Sequence, residues 1–121
     1  QLLRELATHA DAVAAVDATA VRWLAAAYRR IGAMCHRIGH SYFEEGSEHY
    51  FAYAYEHLTD AHPLHGELIA LGVFVMSHLQ GNTPDAVRDL RVRSSIVCHP
   101  ADLGMSADDF RRTFAILPDY A

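Results

Sequence analysis

Two histidines stand in matching contexts. His49 closes the run Gly46-Ser47-Glu48-His49, and His65 opens the run His65-Gly66-Glu67 sixteen positions later. Each falls in the first turn of an expected helix, beside a loop. Two helices packed side by side, about 8–10 Å apart, can aim both imidazoles at one cation. Neutral imidazole is a good ligand for zinc, iron or nickel. Gly66 removes a side chain next to His65, where backbone can approach a ligand. Catalytic zinc commonly takes three protein ligands and keeps one open position. His49 and His65 supply two, and no neighbouring carboxylate is an obvious third. With nine histidines in 121 residues, pairs at any spacing are easy to find. Spacing alone therefore favours the plain alternative, two helix-start residues with ordinary hydrogen bonds.

Other candidates weigh less. Glu44, Glu45 and Glu48 are possible acid–base carboxylates, although an acidic solvated loop is the ordinary explanation; Glu48, beside His49, can orient it by hydrogen bonding. Tyr50, Phe51, Tyr53 and Tyr55 cover more than one helix face, so some belong to the core. Tyr53 lies one turn after His49 and can face the metal cleft. His36 and His40, with Cys35, read as a surface group. Cys98 and His99 are sequence neighbours on a loop, which rarely lets a nucleophile pair meet, so a structural cysteine is expected. His57 and His62 read as surface residues.

The elements that must position these residues are helices. No run alternates apolar and polar residues with β-branched enrichment. Residues 1–16 form an Ala- and Leu-rich first helix. Asp17 caps a second, 18–38, with an apolar stripe of Val21, Leu24, Ala25, Tyr28, Ile31 and Met34. The connector His40 to Gly46 is polar and aromatic. Ser47 is expected as the N-cap of a third helix ending near Leu58. Pro63 suits the entry of a fourth, which runs to Gln80 with Leu68, Leu71, Val75 and Leu79 facing the core and stops at Gly81-Asn82. Thr83-Pro84-Asp85 opens a fifth, and Ser106 with Asp109 resembles a capping box for a sixth over 107–117. The fold class expected is all-α, a bundle of about six helices.

Composition sets outer limits. A 13.5 kDa chain with 51% hydrophobic and 21% charged residues suits one packed domain or a piece of a larger protein. No apolar run reaches the roughly 20 residues that span a bilayer. The net charge is −5 with no basic stripe, so nucleic acid and anionic membrane are poor partners. All ten basic residues are arginine, which removes lysine Schiff-base chemistry and the phosphate-cradling lysine of P-loops. Two cysteines, Cys35 and Cys98, make no disulfide framework, and no signal peptide opens the chain; a reducing, cytoplasmic setting is the expectation.

The wording of the histidine segments adds more than their spacing. GSEHYFAYAYE followed by HPLHGELIALG resembles the metal-site region of the dehydroquinate synthase-like superfamily, which includes glycerol dehydrogenase and iron-containing alcohol dehydrogenases. Within it the chain is most like sn-glycerol-1-phosphate dehydrogenase. There a Ser-Arg-Pro-x-Ser-Gly-x-Glu-His stretch precedes one helix and His-Gly-Glu opens the next. The stretch Pro100-Ala101-Asp102-Leu103-Gly104-Met105-Ser106 is similar to that family's closing helices, so the resemblance runs from about Ala18 to Tyr120.

The resemblance implies that His49 and His65 are two ligands of a divalent catalytic metal, zinc or iron or else nickel, with Glu48 and Tyr53 around them or lining the substrate pocket. It implies that this is the C-terminal helical half of a two-domain dehydrogenase. The third, acidic ligand and the NAD(P)-binding domain lie N-terminal to the segment and are absent from this chain. The substrate implied is a small alcohol or polyol, the metal polarising its oxygen for hydride transfer. This segment alone would not carry out the redox step, and homo-oligomers are compatible with it. Two departures stand out. Ser41-Tyr42-Phe43-Glu44-Glu45 lacks the family's arginine and adds two carboxylates, which argues against phosphate at this connector. Tyr53 stands where several relatives of the synthase type carry a second histidine. A sugar-phosphate cyclase of the dehydroquinate synthase type and a non-catalytic helical module with a vestigial metal site remain the alternatives.

Overall fold

The structure is a computed structural model that describes residues 2–120. Among the described residues six α-helices form and no strand does: α1 (Leu2–Ala14), α2 (Ala18–Ile38), α3 (Ser47–Thr59), α4 (His65–Leu79), α5 (Pro84–Ser94) and α6 (Ala107–Ile116), followed by a short 3-10 turn over Leu117–Tyr120. The all-α expectation holds. The chain divides into two compact units, one comprising 1–45 with 88–96 and the other 46–87 with 97–121.

In the first unit, α1 ends in a Schellman motif. The Asp17 N–H bonds the Ala12 carbonyl at 2.9 Å and the Val16 N–H bonds the Val13 carbonyl at 3.0 Å. Val16 fills the left-handed position at φ 52°, a place usually given to glycine. Asp17 caps α2 as expected, its carboxylate accepting the Thr19 N–H at 2.7 Å. The helix runs through Gly32 and stops at Gly39, φ 77°. The stripe expected on α2 is corrected. Its buried residues are Ala20 and Ala27, with Trp23, Leu24 and Ile31 half-buried, while Val21, Ala25, Tyr28 (66% exposed) and Met34 face outward. Small alanines permit close packing, and Trp23 is engaged by the His9 ring 4.8 Å away. Periodicity weighted by side-chain size picks out the neighbouring face instead. Charge pairs add Arg30 to Glu5 at 2.7 Å and Arg93 to Asp11 at 2.8 Å.

The second unit holds the larger core. Phe51, Ala52 and Tyr55 from α3 and Leu68 and Leu71 from α4 meet Cys98, Leu103 and Met105 from the loop before α6. Phe110 and Phe114 of α6 close on Phe51, ring centroids 5.9 and 5.5 Å away. Tyr50 and Tyr53, on the other faces of α3, are exposed. Of the core stripe expected on α4, Leu68 and Leu71 are buried and Val75 packs against the cluster, but Leu79 is 62% exposed. It lies one turn past Val75, where the core has ended. Gly81 (φ 63°) terminates the helix as expected, the Asn82 N–H bonding the Ser77 carbonyl at 2.9 Å. Ser106 and Asp109 form the full capping box of α6. Thr83 is not an extended cap before Pro84, since it sits at φ 50°.

Candidate functional site

The site is built by the first turns of α3 and α4, both in the second unit. Ser47 was expected to cap α3, and this is corrected. The N-cap is Gly46, with no side-chain bond of its own, and Ser47 is already helical. The capping work passes to Glu48, whose Oε1 accepts the Gly46 N–H at 2.7 Å. The Ser47 hydroxyl instead accepts a hydrogen bond from Gln80 Nε2 at 2.9 Å. No side chain caps α4, whose N-cap is Leu64, so His65 is its first residue.

The fold brings His49 and His65 together. Their ring centroids are 5.6 Å apart and their planes are inclined by 53°. The His49 side chain is 13% exposed, whereas His65 is open to solvent, so the gap between them has one sheltered and one accessible wall. Glu48 Oε1 also lies 3.1 Å from His49 Nδ1. A carboxylate only accepts, so this contact assigns the ring proton of a neutral His49 to Nδ1 and leaves the lone pair of Nε2 for another partner. Carboxylate support of this kind is what metal-ligating histidines commonly have. Tyr53 follows one turn later with its ring centroid 5.9 Å from that of His49, half exposed at the edge of the site.

The ring spacing is close to that of two imidazoles sharing one cation. Two imidazoles bound to a single tetrahedral zinc, with metal–nitrogen distances of about 2.0 Å, hold their ring centroids about 5 Å apart. Two neutral nitrogen donors leave such an ion short of ligands, and among the described residues no group of three or more His, Cys, Asp or Glu is arranged to hold a metal. Any further ligand must come from outside this set.

The remaining candidates make contacts of their own. Glu44 and Glu45 are exposed on the connector, Glu45 accepting from the Ser41 hydroxyl at 3.3 Å. His40 packs against Tyr42 with the rings tilted and their centroids 3.8 Å apart. His57 and His62 are at the surface. Cys98 is buried in the core, while the exposed His99 accepts the Ala101 N–H through Nδ1 at 3.2 Å. One residue was missed altogether. Gly72, buried on α4, lies directly under the backbone of Glu48. A glycine inside an otherwise apolar helical run was the available signal for such an approach.

Over 71 residues the chain is 37% identical to a glycerol-1-phosphate dehydrogenase [NAD(P)+] of Saccharolobus islandicus (strain L.S.2.15 / Lassen #1). It is 34% identical over the same length to the enzyme of that name from Saccharolobus solfataricus (strain P2). The matched stretch is 59% of this chain and 20% of either relative, so the likeness covers about a fifth of their length. The resemblance to glycerol-1-phosphate dehydrogenases, expected from the two histidine segments, is thus found in curated proteins. No family model matches the chain, and no solved structure does. Among the described residues no helix is long and apolar enough to cross a membrane.

Proposed function

We propose that this chain is the metal-holding helical part of an NAD(P)-linked alcohol or polyol dehydrogenase similar to glycerol-1-phosphate dehydrogenase. His49 and His65 would hold a divalent ion, zinc or iron or else nickel, together with an acidic ligand outside the described residues. Such an ion supplies Lewis acidity toward an alcohol or carbonyl oxygen. The carrying observation is the 5.6 Å pairing of two histidine rings from separate helix starts, in a chain resembling enzymes of that name.

The chain's own residues have definite tasks in this reading. Glu48 keeps the His49 proton on Nδ1 and fixes the ring plane, which prevents the ring from turning its protonated nitrogen into the gap. Burial of His49 keeps water off that side of the site, while the exposed side of His65 leaves an entry for a small substrate. Tyr53 presents an aromatic edge and a hydroxyl beside His49, suited to a carbon skeleton bearing hydroxyl groups. NAD(P) would bind a domain outside this chain, placed N-terminal to it.

The test has two parts. The coding sequence upstream is expected to specify a glycine-rich nucleotide-binding segment with an acidic residue shortly before this one. The complete gene product is then assayed for metal-dependent, NAD(P)-linked oxidation of glycerol 1-phosphate and of uncharged polyols. Loss of turnover in His49→Ala and His65→Ala supports the reading. Undiminished turnover in both, or an upstream sequence unrelated to nucleotide binding, overturns it.

A further inference from the structure

We infer that Gly72 is the positioning residue that sets the distance between His49 and His65; this rests on the metal-site reading above only for its consequence, not for its geometry. A Cβ built on Gly72 would stand 2.7 Å from the Glu48 carbonyl oxygen, 3.1 Å from its Cα and 3.2 Å from its carbonyl carbon. All three atoms are backbone, so no rotamer change relieves the contact. The first turn of α3 therefore rests on α4 at Gly72, where α4 has no side chain.

Three consecutive residues of that turn reach three places on α4 and its C-cap. Ser47 is bonded by Gln80, the Glu48 backbone seats on Gly72, and the His49 ring faces that of His65. His65 and Gly72 are separated by two helical turns, about 10 Å along the axis, and Gly72 and Gln80 by about 12 Å. The α3 start thus lies across α4 with Gly72 as its fulcrum, and the two bracketing contacts depend on how closely the backbones approach there. An added methyl must push Glu48 off α4. Because His49 follows Glu48 directly and is tied to its carboxylate, the same movement carries the His49 ring away from His65. Gly66 provides the contrast. It adjoins His65 on the same helix, yet a Cβ there meets nothing within 4 Å.

The experiment compares the wild-type chain, Gly72→Ala and Gly66→Ala. The first readout needs no metal: the nuclear Overhauser cross-peak between the ring protons of His49 and His65. The second is cobalt(II) affinity by absorption titration. Gly72→Ala is expected to lose the cross-peak and at least about tenfold in cobalt affinity while keeping its helical circular dichroism, and Gly66→Ala to keep the cross-peak. If Gly72→Ala melts too low for study, trimethylamine N-oxide is added to restore the folded state and the cross-peak is read there. A cross-peak as strong as in wild type overturns the inference. So does an equal loss in Gly66→Ala, which would mark a general effect of replacing glycine in α4. Absence of cobalt binding by the wild-type chain is what a missing third ligand predicts, and the cross-peak then decides the role of Gly72.

Discussion

Glu48 and His49 are adjacent in the chain, yet their side chains meet, Oε1 lying 3.1 Å from Nδ1, because that oxygen is already held by the Gly46 N–H 2.7 Å away. One carboxylate thus caps α3 and orients the ring. Glu48→Gln keeps an oxygen that can accept from Gly46 but removes the charge behind the imidazole. The expected outcome is a cobalt(II) affinity lowered by about tenfold with a melting temperature close to wild type. Titration by absorption and a thermal melt on the same sample check it; unchanged affinity would show the carboxylate to be a cap and nothing more.

The core beneath the site sets its rigidity. Phe51 is fully buried, against Phe110 and Phe114. Phe51→Ala leaves a cavity that those rings cannot fill, at a cost of about 3–5 kcal/mol. Urea denaturation should show this as a lower midpoint, and ring-proton contacts between His49 and His65 should broaden with it. Tyr53→Ala, at a half-exposed position one turn from His49, should leave the midpoint nearly unchanged.

Val16 occupies a left-handed C′ position with a β-branched side chain that is 77% exposed. A left-handed conformation costs a non-glycine residue about 1–2 kcal/mol, against which glycine gives back some backbone entropy. Val16→Gly is therefore expected to stabilise the chain by about 0.5–1 kcal/mol, read as a higher urea midpoint. A lower midpoint would mean that Val16 makes packing contacts its exposure does not suggest.

Acid should loosen the helix ends before the core. Hydrogen bonds from Thr19 hold the Asp17 carboxyl below its ordinary value of 3.8. The Ser106 hydroxyl does the same for Asp109, and Arg93 for Asp11. A carboxyl whose pKa is lowered by folding stabilises the folded state above the unfolded value, and that contribution is lost as pH falls through the folded one. The loss should therefore begin near pH 4 and continue below it. Asp17→Asn keeps an acceptor for the cap but cannot titrate, so its melting temperature should fall less steeply over this range. Parallel curves for the two proteins would refute the assignment.

Helix number and order, the capping roles of Asp17 and Ser106, and the stop at Gly81 were legible in the sequence because each depends on backbone groups within a few residues. The two histidine segments were legible for the same reason: a helix start can be read locally. Which face of α2 is buried was not, because Ala20 and Ala27 pack by fitting closely, a property that hydrophobic size underrates. Nor was the exposure of Leu79, since periodicity does not say where a core ends. Nor was the partner of the Ser47 hydroxyl, which is Gln80, 33 positions away. Sequence alone thus singled out His49 and His65 as candidates. That their rings lie 5.6 Å apart was decided by tertiary structure, which packs the backbone of Glu48 against Gly72 and two separate helix starts side by side.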